Sequence, residues 1–257
     1  MTTLAFHIDH RVAPGHDAAL ATTLGEILSR PCFGALSRVG VNVKDRNKGH
    51  REISAKSIAE CLLAPDSEAA VLDSGRPGAL IASARIWTGR HIETYDDPKP
   101  WLASYVVIPL DAARWPALED AFVDLTTALS AVAGYVAVER DYGHAHSAAL
   151  SEAPAQGEVR DFPRRAQERK GHYWYDKKID AQIGGPDWGL ILGPGHLARV
   201  APDPAVFVHV RDAGAAKLVF LSRDPGDAVS EAFDSRLEAA RKALAPILMD
   251  TTAVPVA

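Results

Sequence analysis

At 257 residues, with 47% hydrophobic and 24% charged residues, the chain has the composition of a folded protein, long enough for one large domain or two small ones. A formal net charge of −5 argues against a nucleic-acid partner, whose phosphates call for a basic surface, and suits a basic protein partner. No apolar run approaches the ~18 residues of a membrane span, and the opening MTTLAFHIDHRV lacks the basic-then-apolar pattern of a secretory signal. Cys32 and Cys61 sit in apolar surroundings, so they read as buried thiols of a reducing compartment, with the cytoplasm as the expected location.

In chain order, Leu4–His10 reads as an alternating strand, and Asp17–Leu28 as a helix with Leu20, Leu24, Ile27 and Leu28 at helical spacing. Leu36–Val43 follows as a strand, and the charged run Lys44–Glu52 as a solvated loop. Ser54 is placed to cap a helix over Ala55–Leu63, stopped by Pro65. Strands over Ala69–Leu72 and Ala79–Trp87 flank the turn SGRPG.

The middle is the most regular part. A strand at Leu102–Leu110 leads through an Asp111 cap and Pro116 into a helix reaching Val132, striped by Leu118, Phe122, Leu125 and Leu129. Gly134 ends that helix and Tyr135–Tyr142 is the next strand, so strand, helix and strand are expected in one sheet with the helix packed across it. The polar segment near 153–171 is expected to be a long exposed connection. Beyond it come the Gly/Pro-rich stretch Gly184–Val200, a hairpin of Ala205–Val210 with Ala216–Ser222, and a long amphipathic helix from Asp227 to Met249. The fold class expected is α+β, a mixed, mainly antiparallel sheet with helices packed largely on one face. Residues 1–257 are expected to form a single domain, interrupted only by the polar segment.

Few residues look catalytic. There is no G-x-S-x-G elbow, no G-x-x-x-x-G-K-[ST] loop and no C-x-x-C. Gly193-Pro194-Gly195 looks like a phosphate cradle but lacks the preceding strand and later glycine of a dinucleotide site. His7 and His10 on one strand face opposite sides and cannot share a metal. His144 and His146, with Glu139 and Asp141 nearby, would make a zinc or iron set on a strand; on a helix the two rings stand ~200° apart. His196 opens a short helix and reads as structural. Asp96-Asp97, before Pro98, reads as a turn. The aromatic block His172–Tyr175 directly follows a basic loop, and two readings stand level. It is either an edge strand with alternate rings in the core, or a protein-binding hot spot built from Arg164, Arg165, Arg169, Tyr173, Trp174 and Tyr175.

The order strand, long helix and strand ending Val138-Glu139-Arg140-Asp141-Tyr142, then Pro186–Val200 (PDWGLILGPGHLARV), a strand pair and a final helix, resembles one known family. It resembles the immunity proteins of bacterial polymorphic-toxin and type VI secretion systems, in families with a W-G-x-x-L-G-P-x-H-L segment. The likeness runs from about Leu102 to Met249, and the first hundred residues carry no matching motif. It implies an α+β fold without catalysis that binds and blocks one cognate toxin. No contact residue transfers by motif; Trp188 and the Gly-Pro-Gly turn are expected to be scaffold. The expectation is therefore a cytoplasmic, non-enzymatic immunity protein. It needs no cofactor or metal and binds a toxin rather than nucleic acid or membrane, with a homodimer left open. The rivals are a metal-dependent enzyme around His144 and His146, and an adaptor of a secretion or phage apparatus.

Overall fold

The computed structural model describes residues 2–44, 46–75, 80–90, 101–150, 168, 178–230 and 232–250. Its strands are β1 (Thr3–His10), β2 (Arg38–Val43), β3 (Arg46–Glu52), β4 (Ala69–Asp73), β5 (Ser83–Trp87), β6 (Leu102–Pro109), β7 (Ala133–Glu139), β8 (Gly189–Leu192), β9 (His209–Ala213) and β10 (Ala216–Phe220). Its helices are α1 (Ala18–Leu28), α2 (Ala55–Leu63), α3 (Trp115–Ala128), α4 (Tyr142–Ala149), α5 (Pro194–Leu197) and α6 (Phe233–Leu244).

All ten strands join one sheet in the order β3-β2-β4-β5-β6-β1-β7-β8-β10-β9, and every neighbouring pair is antiparallel. Among the described residues a parallel contact is confined to the isolated bridge Ile183↔Leu248. The expected α+β class with a mainly antiparallel sheet is the fold found.

β1 sits at the centre. Thr3 lies opposite both Pro109 of β6 and Glu139 of β7, so the expected strand–helix–strand unit β6–α3–β7 is split by the N-terminal strand. All eight residues of β1 are buried, where alternation predicts one wet face. The reason is a second layer. Phe6 stacks on Phe122 of α3, 4.1 Å between ring centres, while on the other face His7 bonds the end of α4. A central strand covered on both sides loses the alternation that sequence reading looks for.

Local chemistry explains most element ends. Asp17 Oδ1 accepts from the Ala19 and Leu20 N–H groups and starts α1. Ser54 and Ser57 exchange a capping box at the start of α2. α1 and α2 cross where Gly25 meets the Ala55 carbonyl, which a Cβ would approach to 2.3 Å. α3 starts at Trp115 after Arg114, so Asp111 is not its cap; the Asp111 carboxylate takes the Ala113 N–H in the turn before it. α3 ends at Ala128, with Ser130 at φ 47°, and Gly134 falls inside β7 rather than ending the helix. The close approach of β1 puts it there, because a Cβ on Gly134 would lie 2.2 Å from the His7 carbonyl.

Four further readings are corrected. Lys44–Glu52 is not a loop from end to end: Arg46–Glu52 forms edge strand β3, with every side chain exposed and a bulge opposite Val39–Val41. An edge strand of charged residues carries no hydrophobic signal, and charge plus a bulge is how an edge resists mispairing. The C-terminal hairpin turns tightly at Gly214-Ala215, later than expected, with Ala213 opposite Ala216 and Gly214 at φ 64°. The last helix is α6, with short 3-10 turns at Pro225–Val229 and Ala245–Ile247 on either side. Within the polar 153–171 segment only Glu168 is described. It is buried, against the expected exposure, and its carboxylate grips Arg241 of α6 at 2.6 and 2.8 Å.

Candidate functional site

One row of the sheet gathers the chemistry. Its register aligns Val71, Arg85, Tyr105, His7, Tyr135, Leu190, Val219 and Val210 across eight strands on the α4 face. Four consecutive ones, Arg85, Tyr105, His7 and Tyr135, form a polar and aromatic band in an otherwise aliphatic row. The His7 and Tyr135 rings stack 4.9 Å apart at 4°. Asp9, two residues along β1 and so on the same face, receives a 3.1 Å contact from His7 Nε2. No sequence motif marks this set, since strands 100 residues apart supply it. The H-x-D spacing on a strand was the one local hint.

α4 lies across this band. Asp141 caps it by accepting from the His144 N–H at 3.1 Å, and that bond, above all, lowers the Asp141 pKa. The helix docks through Tyr142 O–H to Ser83 Oγ (2.9 Å), His146 Nε2 to Tyr105 O–H (3.3 Å) and Tyr135 O–H to the Ala148 carbonyl (2.5 Å). His7 Nδ1 reaches the Ala149 carbonyl at 2.8 Å. The last carbonyls of α4, which no helical N–H can satisfy, are thus taken by sheet side chains.

The H-x-H pair does not converge. His144 and His146 are helical, the case in which their rings diverge: His144 Nδ1 turns to Asp141 Oδ1 at 2.7 Å and His146 turns to Tyr105. Glu139 is buried at the end of β7. Among the described residues no three His, Cys, Asp or Glu side chains come together as a metal site. His7 and His10 lie on opposite faces, as the strand period dictates.

His10 forms a second polar chain inside the core. The Trp87 N–H donates to Ser104 Oγ at 3.2 Å, Ser104 O–H donates to His10 Nε2 at 2.8 Å, and His10 Nδ1–H donates to the Val12 carbonyl at 3.0 Å. The Ser–His contact has the length of a nucleophile–base pair, but both residues are fully buried and every hydrogen is committed. Burial pushes the His10 pKa down to about 4 and fixes it as a neutral structural group. Cys32 borders a cleft of about 530 Å³ with Ile81, Ile108, Pro109 and Arg114, and burial raises its thiol pKa, the wrong direction for a nucleophile. Cys61 is likewise buried and raised, and both cysteines are free.

The Gly184–Val200 stretch is scaffold. Trp188 is fully buried, its ring 4.9 Å from both Trp115 and Phe220, and its N–H donates to Ser222 Oγ at 2.9 Å. A strand, β8, does precede Gly193-Pro194-Gly195, contrary to the reading from sequence. No phosphate cradle results. A Cβ on Gly193 would meet the Val132 carbonyl at 2.1 Å, and one on Gly195 the Asp180 carbonyl at 1.9 Å, so the chain's own backbone fills the space. His196 Nδ1 accepts the Gly193 N–H at 3.2 Å from a fully buried position.

Arg164, Arg165, Arg169, Tyr173, Trp174 and Tyr175 lie outside the described residues, as do Asp96 and Asp97. No described helix is long and apolar enough to cross a membrane.

No protein-family model matches the chain, and no curated protein matches it by sequence. Its fold is similar to that of a solved structure, the Pseudomonas aeruginosa T6SS protein PA0821. The TM-score is 0.61 at 13% identity, over 96% of this chain and 73% of that one. At that identity the likeness establishes a shared α+β architecture.

Proposed function

We propose that this protein is a non-enzymatic immunity protein of the type VI secretion class, which binds one cognate secreted effector in the cytoplasm and blocks it. The observation that carries this reading is the coincidence of two likenesses. The fold is shared over 96% of the chain with a T6SS protein, and Trp188–Leu197 spells the W-G-x-x-L-G-P-x-H-L segment. The geometry supports a scaffold reading of that segment, which leaves recognition to surfaces elsewhere. The polar groups most like catalytic ones, Ser104 with His10, are enclosed and mutually satisfied.

The contact surface is assigned to the basic and aromatic segment Arg164–Tyr175, where arginines and large rings together suit an interface centre. The partner is a protein, not nucleic acid or membrane, and no cofactor takes part. The test is co-expression with the effector encoded beside this chain. Growth should be restored and a stoichiometric complex recovered by calorimetric titration. Persistent toxicity without a complex, or metal-dependent turnover of a substrate lost on His144→Ala, rejects the proposal. Within the complex, Trp174→Ala should weaken binding by ~2 kcal/mol, roughly thirtyfold, with melting unchanged. A stability loss of ~3–5 kcal/mol with unaltered affinity of the folded fraction would instead place Trp174 in the core.

A further inference from the structure

We propose that α4 is latched to the sheet by a doubly protonated His7, so that docking of this helix depends on a proton. Both ring nitrogens of His7 face groups that only accept: Nδ1 meets the Ala149 carbonyl at 2.8 Å and Nε2 meets Asp9 Oδ1 at 3.1 Å. A neutral imidazole carries one N–H and satisfies one of the two; the imidazolium satisfies both. The site favours the cation in three further ways. The Asp9 carboxylate is 5% exposed and its Oδ2 has no hydrogen-bond partner, so its charge needs a counter-ion within the core. The ring stacks on Tyr135, whose π face attracts a cation. The Ala149 carbonyl ends α4, where the helix dipole is negative.

Among the described residues, the other ionisable groups around His7 are few. Arg85 and Tyr105 come from the neighbouring strands on one side, Tyr135 and Glu139 from β7 on the other, and His146 from α4; His10 lies beyond, on the far face. Burial alone lowers the His7 pKa, but the Asp9 charge and the two hydrogen bonds outweigh it, and the net direction is upward from 6.5. When α4 lifts, Asp9 stays beside the ring on β1 and only the Ala149 bond and the negative end of the helix are lost, so the second proton that satisfies both acceptors is held more tightly with α4 docked. Between the undocked and docked values of His7, and only there, rising pH favours release of the helix, by at most about tenfold in the opening equilibrium per pH unit.

The experiment combines side-chain nitrogen NMR with hydrogen exchange on the full chain from pH 5 to 9. The His7 resonance, identified by its loss in His7→Gln, should show two bound protons at neutral pH. The amides of Ser147–Leu150, corrected for intrinsic exchange, should lose protection as pH rises through that window, by at most about tenfold per unit, and be level on either side of it. In His7→Gln that pH dependence should vanish, and in Asp9→Asn the His7 ring should titrate below its wild-type position. If either variant fails to fold, the wild-type curves decide alone. A His7 that carries one proton at pH 7, or Ser147–Leu150 protection that stays level across the window, overturns the latch.

Discussion

Trp188→Phe tests whether the tryptophan of the Gly/Pro-rich segment is structural. The change keeps a six-membered ring between Trp115 and Phe220 but removes two carbons of the indole and its N–H. Two lost ring carbons at ~0.8 kcal/mol each come to about 1.5 kcal/mol in a core that cannot collapse around them. The bond to Ser222 Oγ adds ~1 kcal/mol, because Ser222 is 2% exposed and water cannot replace the donor. Together the loss is roughly 2–3 kcal/mol, or about 5–10 °C in melting temperature for a chain this long. Urea unfolding followed by far-UV dichroism measures it without relying on tryptophan fluorescence. A cycle with Ser222→Ala isolates the bond: the double variant should lose ~1 kcal/mol less than the singles summed. A single-variant loss below ~0.5 kcal/mol with no coupling to Ser222 would refute the packing argument, and Trp188 would have to be reconsidered as a group kept for binding.

Gly195→Ala should destabilise by at least ~1–3 kcal/mol, since its Cβ lands 1.9 Å from the Asp180 carbonyl. Gly49→Ala, with nothing within 4 Å but a φ of 68°, should cost only the ~1–2 kcal/mol of a left-handed residue; thermal melts of the pair compare clash with backbone strain. Acidification should unfold the protein partly through His10. Its folded pKa is depressed to about 4, so the stability it contributes is present above pH 6.5 and falls by up to ~1.4 kcal/mol per unit towards pH 4. His10→Gln should flatten that limb of a stability–pH curve. Glu168→Gln, which takes the buried carboxylate from Arg241 and leaves it Glu238, should cost ~1.5–3 kcal/mol in chemical denaturation, and replacing both Glu168 and Arg241 by apolar residues should cost less.

The elements the sequence displayed are those whose signal is local. Ser54 and its box, the α3 stripe and the Gly214 turn all announce themselves within a few residues. What it hid depends on neighbours far along the chain. β3 is a strand because Val39–Val43 offers it an edge, though nothing in Arg46–Glu52 is apolar. β1 lost its expected alternation because α4, starting more than 130 residues later, covers the second face. The candidate site was hidden for the same reason. His144 and His146 form a visible pair that does not converge, while His7, Tyr105 and Tyr135 converge from three strands with no shared motif. The Trp188 segment was legible as a pattern, and close contacts account for its glycines: Gly193 and Gly195 lie against backbone carbonyls, Gly185 against the Glu168 side chain and Gly189 against the Phe220 ring.

The central position of β1 has a consequence for synthesis. β1 is made before either of its neighbours, β6 and β7, and its ladder to β7 cannot close until residue 139 has emerged. At ~5–20 residues per second that is a wait of roughly 7–27 s, and for most of it, until β6 is out, the LAFHI strand has neither neighbour. Such long-range pairing also slows folding of the finished chain. This protein should therefore depend on holding chaperones more than a chain of its size built from sequential hairpins, and the unpaired β1 segment is where aggregation would start.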